Sequence, residues 1–327
     1  MNRRRTLVAL LGLCAAPRWL AAADKRVPRI GYLSLGSITE VPSRERQALL
    51  DGLRELGWVP GKSIELVYRS AEGEPAFLRA MCEELLREKV DVLATPGAAA
   101  TLAALAVTPR VPIVFLALGD PVGIGATDSI ARPSRNATGT TFLSSELASK
   151  RIELLTLAVP AAKRVAILWE RRNSNAESES ASARAAARNV GLGVEPVPIE
   201  SQAGMNSALA RLAARPPDAL YVSFAAGVVA GNRTAIVEFG LRHRVPVISG
   251  WGFMTEAGGL FSYAPDVPAM FGRSAYYIDR ILKGVAPADL PIEQAFKIEL
   301  VVNLQTARRL GLTLPPDLLL RADRLID

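Results

Sequence analysis

After Pro28 the chain alternates short apolar runs with amphipathic stretches whose apolar positions recur at helical spacing. Arg29 to Leu35 reads as a strand. Leu49, Leu50, Leu53 and Leu56 then define a helix, which Gly57 ends. Ile64 to Tyr68 reads as a strand, Phe77 to Leu86 as a helix and Val90 to Ala94 as a buried strand. A small-residue helix over Ala98 to Ala106 and a strand over Ile113 to Leu116 follow. Such alternation predicts an α/β fold in which helices cover both faces of parallel sheets.

The same order then restarts. Arg164-Val165-Ala166-Ile167-Leu168 echoes Arg29-Ile30-Gly31-Tyr32-Leu33, and Gly191 closes the next helix as Gly57 does. Asp218-Ala219-Leu220-Tyr221-Val222 echoes Asp91-Val92-Leu93-Ala94, and Val245-Pro246-Val247-Ile248 echoes Val111-Pro112-Ile113-Val114. Arg29 lies 28 residues before Gly57, and Arg164 lies 27 before Gly191. Four echoes in one order predict two doubly wound lobes of like topology.

Doubly wound sheets bind ligands outside the carboxyl ends of their strands, so two facing lobes offer their loops to one cleft. The first lobe contributes Ser34 to Ser37, Thr95 to Ala98 and Gly119 to Val122. The second contributes Glu170 to Asn175, Ser223 to Gly227 and Ser249 to Gly252. These loops are rich in Ser, Thr, Gly, Asn and Asp, which either hydrogen-bond a small polar ligand or simply make turns. The aromatics Phe224, Trp251 and Tyr263 fall at or near the same strand ends. Trp251, between Gly250 and Gly252, either lines the cleft or packs in the core.

The chain has 327 residues, half of them hydrophobic, which excludes a disordered protein and favours two domains over one large core. Its first 23 residues read as an export signal: Arg3, Arg4 and Arg5, an apolar run from Leu7 to Ala16, and Ala21-Ala22-Ala23 as a cleavage site. Arg4-Arg5 leaves Sec and Tat routes both open, and bulky Leu13 argues against Cys14 as a lipid-bearing cysteine. That segment holds four arginines and no acid, so removing it lowers the formal charge from +7 to +3. A near-balanced chain of this kind has no nucleic-acid footprint.

Catalytic apparatus is hard to find. His243 is the single histidine, flanked by Arg242 and Arg244, and no G-x-S-x-G elbow accompanies it. No metal set is marked, no cofactor is implied, and Cys82 falls on the apolar side of a helix as an inert thiol. Gly61-Lys62-Ser63 has the wrong spacing for a P-loop, and Gly123-x-Gly125 lacks the third glycine of a dinucleotide fingerprint.

Several segments together resemble the ABC-transporter substrate-binding proteins of the tryptophan/tyrosine-uptake type. They include Gly119-Asp120-Pro121-Val122-Gly123, Ala131-Arg132-Pro133, Asn136-Ala137-Thr138-Gly139, Glu146-Leu147 and Lys150-Arg151-Ile152-Glu153-Leu154-Leu155. Gly52-Leu53-Arg54-Glu55-Leu56-Gly57, Glu256-Ala257-Gly258-Gly259-Leu260, Ile281-Leu282-Lys283-Gly284, Leu300-Val301-Val302-Asn303 and Leu310-Gly311-Leu312 fit as well. The likeness covers nearly the whole chain after the signal. It implies a type I periplasmic binding protein, with three crossovers near Thr140, Gly258 and Lys297. Lobe 1 would comprise residues 24–140 with 259–296, and lobe 2 residues 141–258 with 297–327.

The resemblance further implies hinge closure on a small-molecule ligand, an ABC permease in the inner membrane as partner, a periplasmic location and a monomeric chain. Family ligand contacts carry over to Ser34, Ser37, Thr95, Gly97, Asp120 and Asn173, and the strand-end reading adds Ser223, Phe224 and Trp251. An α-carboxylate would sit on the backbone N–H groups of Gly97 and Ala98. Asp120 either pairs an amino group or serves as a turn acid before Pro121. Relatives tend to carry Asn-Pro-x-Asn where this chain has Glu170-Arg171-Arg172-Asn173-Ser174-Asn175 after Trp169. The ligand is therefore open within a small polar or amphipathic class, an aromatic amino acid favoured. A cleft enzyme using carboxylates and a ligand-sensing domain for signalling are the alternatives. The first needs a proton-transfer pair that the sequence does not mark, and the second lacks an N-terminal helix-turn-helix.

Overall fold

A computed structural model describes residues 26–171, 173–223 and 227–327. The export segment, Cys14 and Phe224 therefore lie outside the described residues. The first half runs β1 (Arg29–Ser34), α1 (Arg44–Glu55), β2 (Glu65–Ser70), α2 (Leu78–Arg87), β3 (Val92–Pro96), α3 (Gly97–Val107), β4 (Ile113–Leu118) and β5 (Ala137–Thr141). The second opens with α4 (Ser144–Ala158), β6 (Arg164–Glu170), α5 (Ser174–Asn189), β7 (Gly193–Ile199), α6 (Gln202–Ala214) and β8 (Ala219–Val222). It continues with α7 (Gly227–Gly231), α8 (Arg233–His243), β9 (Val247–Ser249), α9 (Gly252–Glu256) and β10 (Phe261–Pro265). The last part is α10 (Val267–Leu282), β11 (Glu293–Gln294), β12 (Ile298–Asn303), α11 (Leu304–Leu310), α12 (Pro316–Leu320) and β13 (Arg324–Ile326).

Two sheets result. The first is ordered β11-β5-β4-β3-β1-β2 and the second β13-β12-β10-β9-β8-β6-β7. The five-strand order β5-β4-β3-β1-β2 is matched by β10-β9-β8-β6-β7, so the sequence echoes correspond to one topology used twice. All pairings are parallel except β10 with β12. Each sheet carries an apolar cluster on both faces, as a doubly wound lobe requires.

The chain passes between lobes after β5, after β10 and after β11. The first passage follows Thr141, the last residue of β5, and the third precedes Ile298, the first of β12. The second comes at Asp266, not near Gly258, because β10 pairs with β9 and β12 in the second sheet. Phe261 is completely buried in the second lobe's core and fixes that strand there. Residues 259–265 thus join the second sheet, and the first lobe regains the chain only at α10. Asp266 marks the new start by accepting a hydrogen bond from the Ala269 N–H at 3.0 Å, with Pro268 in the first turn.

The first passage has a distinctive backbone. Ala117 and Leu143 both take left-handed conformations, with φ of 51° and 46°, on either side of the connection. Thr140 Oγ1 accepts from the Ala117 N–H at 3.0 Å, and Gly119 O accepts from the Ser144 N–H at 2.8 Å. The first bond ties β5 to β4 within the first lobe, and the second ties the end of β4 to the start of α4 across the lobe boundary. Among the described residues no helix is long and apolar enough to cross a membrane.

Candidate functional site

The loop after β4 in the first lobe meets the start of α5 in the second, and Trp251, after β9, packs against the first lobe's apolar cluster. Ser34, the last residue of β1, lines a recess of about 230 Å³ with Tyr32, Ser37, Arg46, Pro96 and Phe271. Ser37 also lies on this rim, where its hydroxyl donates to the Glu72 carboxylate. Ser37 and Ser70 together hold that carboxyl below its usual range.

Thr95 is buried and committed elsewhere. Thr101 Oγ1 donates to Gly97 O at 2.7 Å, so Thr95 is the donor in its 2.9 Å contact with Thr101. It braces the first turn of α3 from beneath. Gly97 opens that helix at φ 77°, a conformation glycine adopts without strain. Pro96 precedes it and gives no side-chain cap, leaving the first N–H groups of α3, at Gly97 and Ala98, free of one.

Asp120 makes a turn and also spans the lobes. Its Oδ1 accepts from the Gly123 N–H at 2.8 Å, and Gly123 has no room for a side chain, since a Cβ would come within 2.2 Å of Asp120 Oδ2. Oδ2 meets the hydroxyls of Ser145 and Ser178 in the second lobe at 3.4 and 3.5 Å. Beside this contact Gly119 faces Asn175 so closely that a Cβ would come within 2.7 Å of the amide carbon. The two lobes are therefore in contact across the cleft.

In the second lobe Asn173 is the N-cap of α5, its side chain accepting from the Ala176 N–H at 3.2 Å. Its carbonyl oxygen thus serves the helix. Ser223 is buried at the end of β8, and its hydroxyl has no partner among the described residues. Trp251 precedes α9, its N–H held by Ser249 Oγ at 3.1 Å. Its ring packs 5.1 Å from the Phe253 ring and touches apolar clusters of both lobes. Its packing against both clusters makes the core role plain for this residue.

Three polar residues escaped the sequence reading as individuals. Ser144 Oγ, Asn175 Oδ1 and Glu170 Oε2 are buried without a hydrogen-bond partner among the described residues. Glu170 is the last residue of β6, and burial raises its carboxyl above the usual range. The N–H groups of Val228 and Val229 at the start of α7 act in the opposite direction. Glu170 and Asn175 bound the second-lobe loop that strand-end reading picks out, Glu170 to Asn175, which is the signal that marks them.

Beneath this floor lies a fully buried charge network. Arg151 on α4 donates through Nη1 to Glu179 Oε1 at 2.9 Å and to the Tyr221 hydroxyl at 3.1 Å, and through Nε to Tyr263 O at 2.7 Å. Tyr221 in turn donates to Glu179 at 2.7 Å, and burial pushes its phenol well above the usual range. Gly250 must be glycine because a Cβ there would lie 2.8 Å from the Arg151 guanidinium carbon. Among the described residues no group of three or more His, Cys, Asp or Glu could hold a metal ion. Cys82 is buried with its thiol pushed up to about 11 by desolvation, and His243 packs on the Phe239 ring.

Residues 37–326 match the family model described as ABC transporter substrate binding protein. The chain is 20% identical over 283 residues to the tyrosine-binding protein of Clostridioides difficile, covering 86% of this chain and 81% of that one. A conserved domain protein from Vibrio cholerae has a similar structure, with 26% identity and a TM-score of 0.85 over 92% of this chain and all of that one. An ABC domain from Streptococcus pneumonia in complex with L-Trp superposes at a TM-score of 0.84, with 24% identity over 91% of this chain and 99% of that one.

Proposed function

Since the chain belongs to the ABC transporter substrate-binding protein family, we propose that it captures a small amphipathic solute, an aromatic amino acid foremost, between its lobes. It acts outside the cytoplasm and passes the solute to a membrane permease. The export segment supports processing after Ala23 and work in the periplasm.

One observation carries this reading. Polar strand ends of two like lobes carry Ser144, Asn175 and Ser223, which are buried, and Glu170, which is partly so, and each holds an oxygen atom with no partner among the described residues. A buried polar atom left unpaired costs about 1–3 kcal/mol, so a cleft of this composition favours a ligand that supplies the missing bonds. The uncapped first turn of α3 at Gly97 and Ala98 suits the ligand's carboxylate. Ser34 and Ser37 add hydroxyls at the recess, and Trp251 gives an apolar face for a ring. Relatives that bind tyrosine and tryptophan support the same class. Ligand contacts from both lobes exist together only when the lobes approach, so binding draws the population towards closure.

Calorimetry and thermal unfolding of the processed chain against the amino acids and other small metabolites test the reading. A ligand at about 100-fold excess over its Kd stabilises by about 2.7 kcal/mol, a clear rise in Tm. Absence of any shift across the amino acids would count against it. Mass spectrometry of compounds retained through purification gives the ligand without a prior guess.

A further inference from the structure

We infer that Glu170 receives a protonated nitrogen of the ligand and so selects for amines within the cleft. This inference rests on the solute-binding reading above and sharpens it.

Side-chain alternation along β6 sets the direction of Glu170. Trp169 is committed to the face under α5: its indole N–H donates to Glu177 at 2.6 Å and its ring lies 5.1 Å from the Arg184 guanidinium. Leu168 belongs to the opposite face, in the apolar cluster that Trp251 also joins. Glu170, two residues on, shares that opposite face and sits at the carboxyl end of the strand, against the start of α7. Trp251 reaches from there to the first lobe's cluster containing Tyr32 and Phe271, and those two residues also line the recess beside Ser34. Glu170 thus ends β6 on the face whose apolar cluster Trp251 joins, just before the segment where Asn175 meets Gly119 of the first lobe.

Its two oxygens have unequal surroundings. The backbone N–H groups of Val228 and Val229 serve the carboxylate, and Gly227 permits the close approach, because a Cβ there would be 2.6 Å from Oε1. Oε2 is buried with no partner among the described residues. A carboxylate oxygen accepts and cannot donate when ionised, so what completes this site is a donor, and a positively charged one makes the strongest bond. No cationic side chain pairs with Glu170 among the described residues, in contrast to Glu177 and Glu179, each beside an arginine. Asp120 is a poorer acceptor for an amine, since Oδ1 holds the Gly123 N–H and Oδ2 faces Ser145 and Ser178.

Glu170→Gln separates recognition from local structure, because a glutamine oxygen still accepts from Val228 and Val229. Binding of L-tryptophan, tryptamine, L-arginine and indole-3-propionate, which lacks the amine, is measured by calorimetry on the wild type, E170Q and E170A. The expected result is a loss of about 10- to 100-fold in E170Q for the amines that bind the wild type, with indole-3-propionate changed by less than about twofold. The Tm of ligand-free E170Q should stay near wild type, while that of E170A falls. Equal losses for amine and acid, or no loss for either, overturn the inference and leave Glu170 as a brace for α7. Wild-type binding of indole-3-propionate alone overturns it while keeping a small-ligand function. Failure of every compound overturns both the inference and the amino-acid reading.

Discussion

Arg151, Glu179 and Tyr221 come from three different elements and have no contact with solvent. A charge moved alone into such a place is costly, and the cost is offset only when every partner is present. Here the guanidinium meets a carboxylate, a phenol and a backbone carbonyl within 3.1 Å, so the network joins α4, α5, β8 and β10 in one lobe. Glu179→Ala leaves the Arg151 charge uncompensated, and a loss of about 3–5 kcal/mol is expected, read from the denaturant midpoint. A loss below about 1 kcal/mol would mean that solvent reaches the arginine. From sequence, Arg151 stands in the quoted Lys150-Arg151-Ile152-Glu153 segment, but no local spacing announces a partner 28 residues away. The cleft residues show the same limit. Trp251 and Ser34 are found at strand ends because periodicity places the strands, whereas the helix-capping role of Asn173 depends on geometry that the loop's composition does not reveal.

Helices α1 and α10 come from distant parts of the chain and pack closely because both present glycine. A Cβ on Gly52 would lie 2.6 Å from Gly272 O, too near for the helices to keep their separation. Gly52→Ala should therefore lower stability by about 1–3 kcal/mol despite alanine's better helix propensity, and thermal unfolding measures it. A gain in stability would show that the helix pair adjusts freely. The parallel strands with continuous apolar runs are legible in the sequence; those without them are not. β5 is Ala137-Thr138-Gly139-Thr140-Thr141, buried throughout, and its threonine hydroxyls bond Leu290 O, the Ala117 N–H and Leu118 O. Polar composition hides a core strand whose polar groups are satisfied from within. β7 carries Pro196 and Pro198, which its place at the sheet edge tolerates. The second crossover, which the resemblance puts near Gly258, comes only after β10, which the chain adds to the second sheet as the repeat of β5.

At the scale of the whole molecule, the lobes meet at Asp120 and Gly119 through groups that are small and weakly bonded. Asp120 meets Ser145 and Ser178 at 3.4 and 3.5 Å, at the long limit of hydrogen bonding, and Gly119 abuts Asn175 without a side chain of its own. Contacts of that strength bias an equilibrium between open and closed lobes and leave a ligand to decide it. Apparent affinity then scales with the fraction of protein that is competent to close. Small-angle scattering should show a radius of gyration that falls when a ligand identified by the binding screen is added. Asp120→Ala removes the bridging carboxylate, so the ligand-free chain should scatter as a more open particle. Its affinity should weaken by at most about tenfold, as expected for one long hydrogen-bonded contact. The turn at Gly123 loses its cap in the same variant, and Gly123→Ala, which crowds Asp120, provides the comparison. If Asp120→Ala changes neither the scattering nor the Kd, the carboxylate serves the turn alone. The balance between open and closed lobes would then rest on the crossover backbone around Ala117 and Leu143, where two left-handed residues already sit at the boundary.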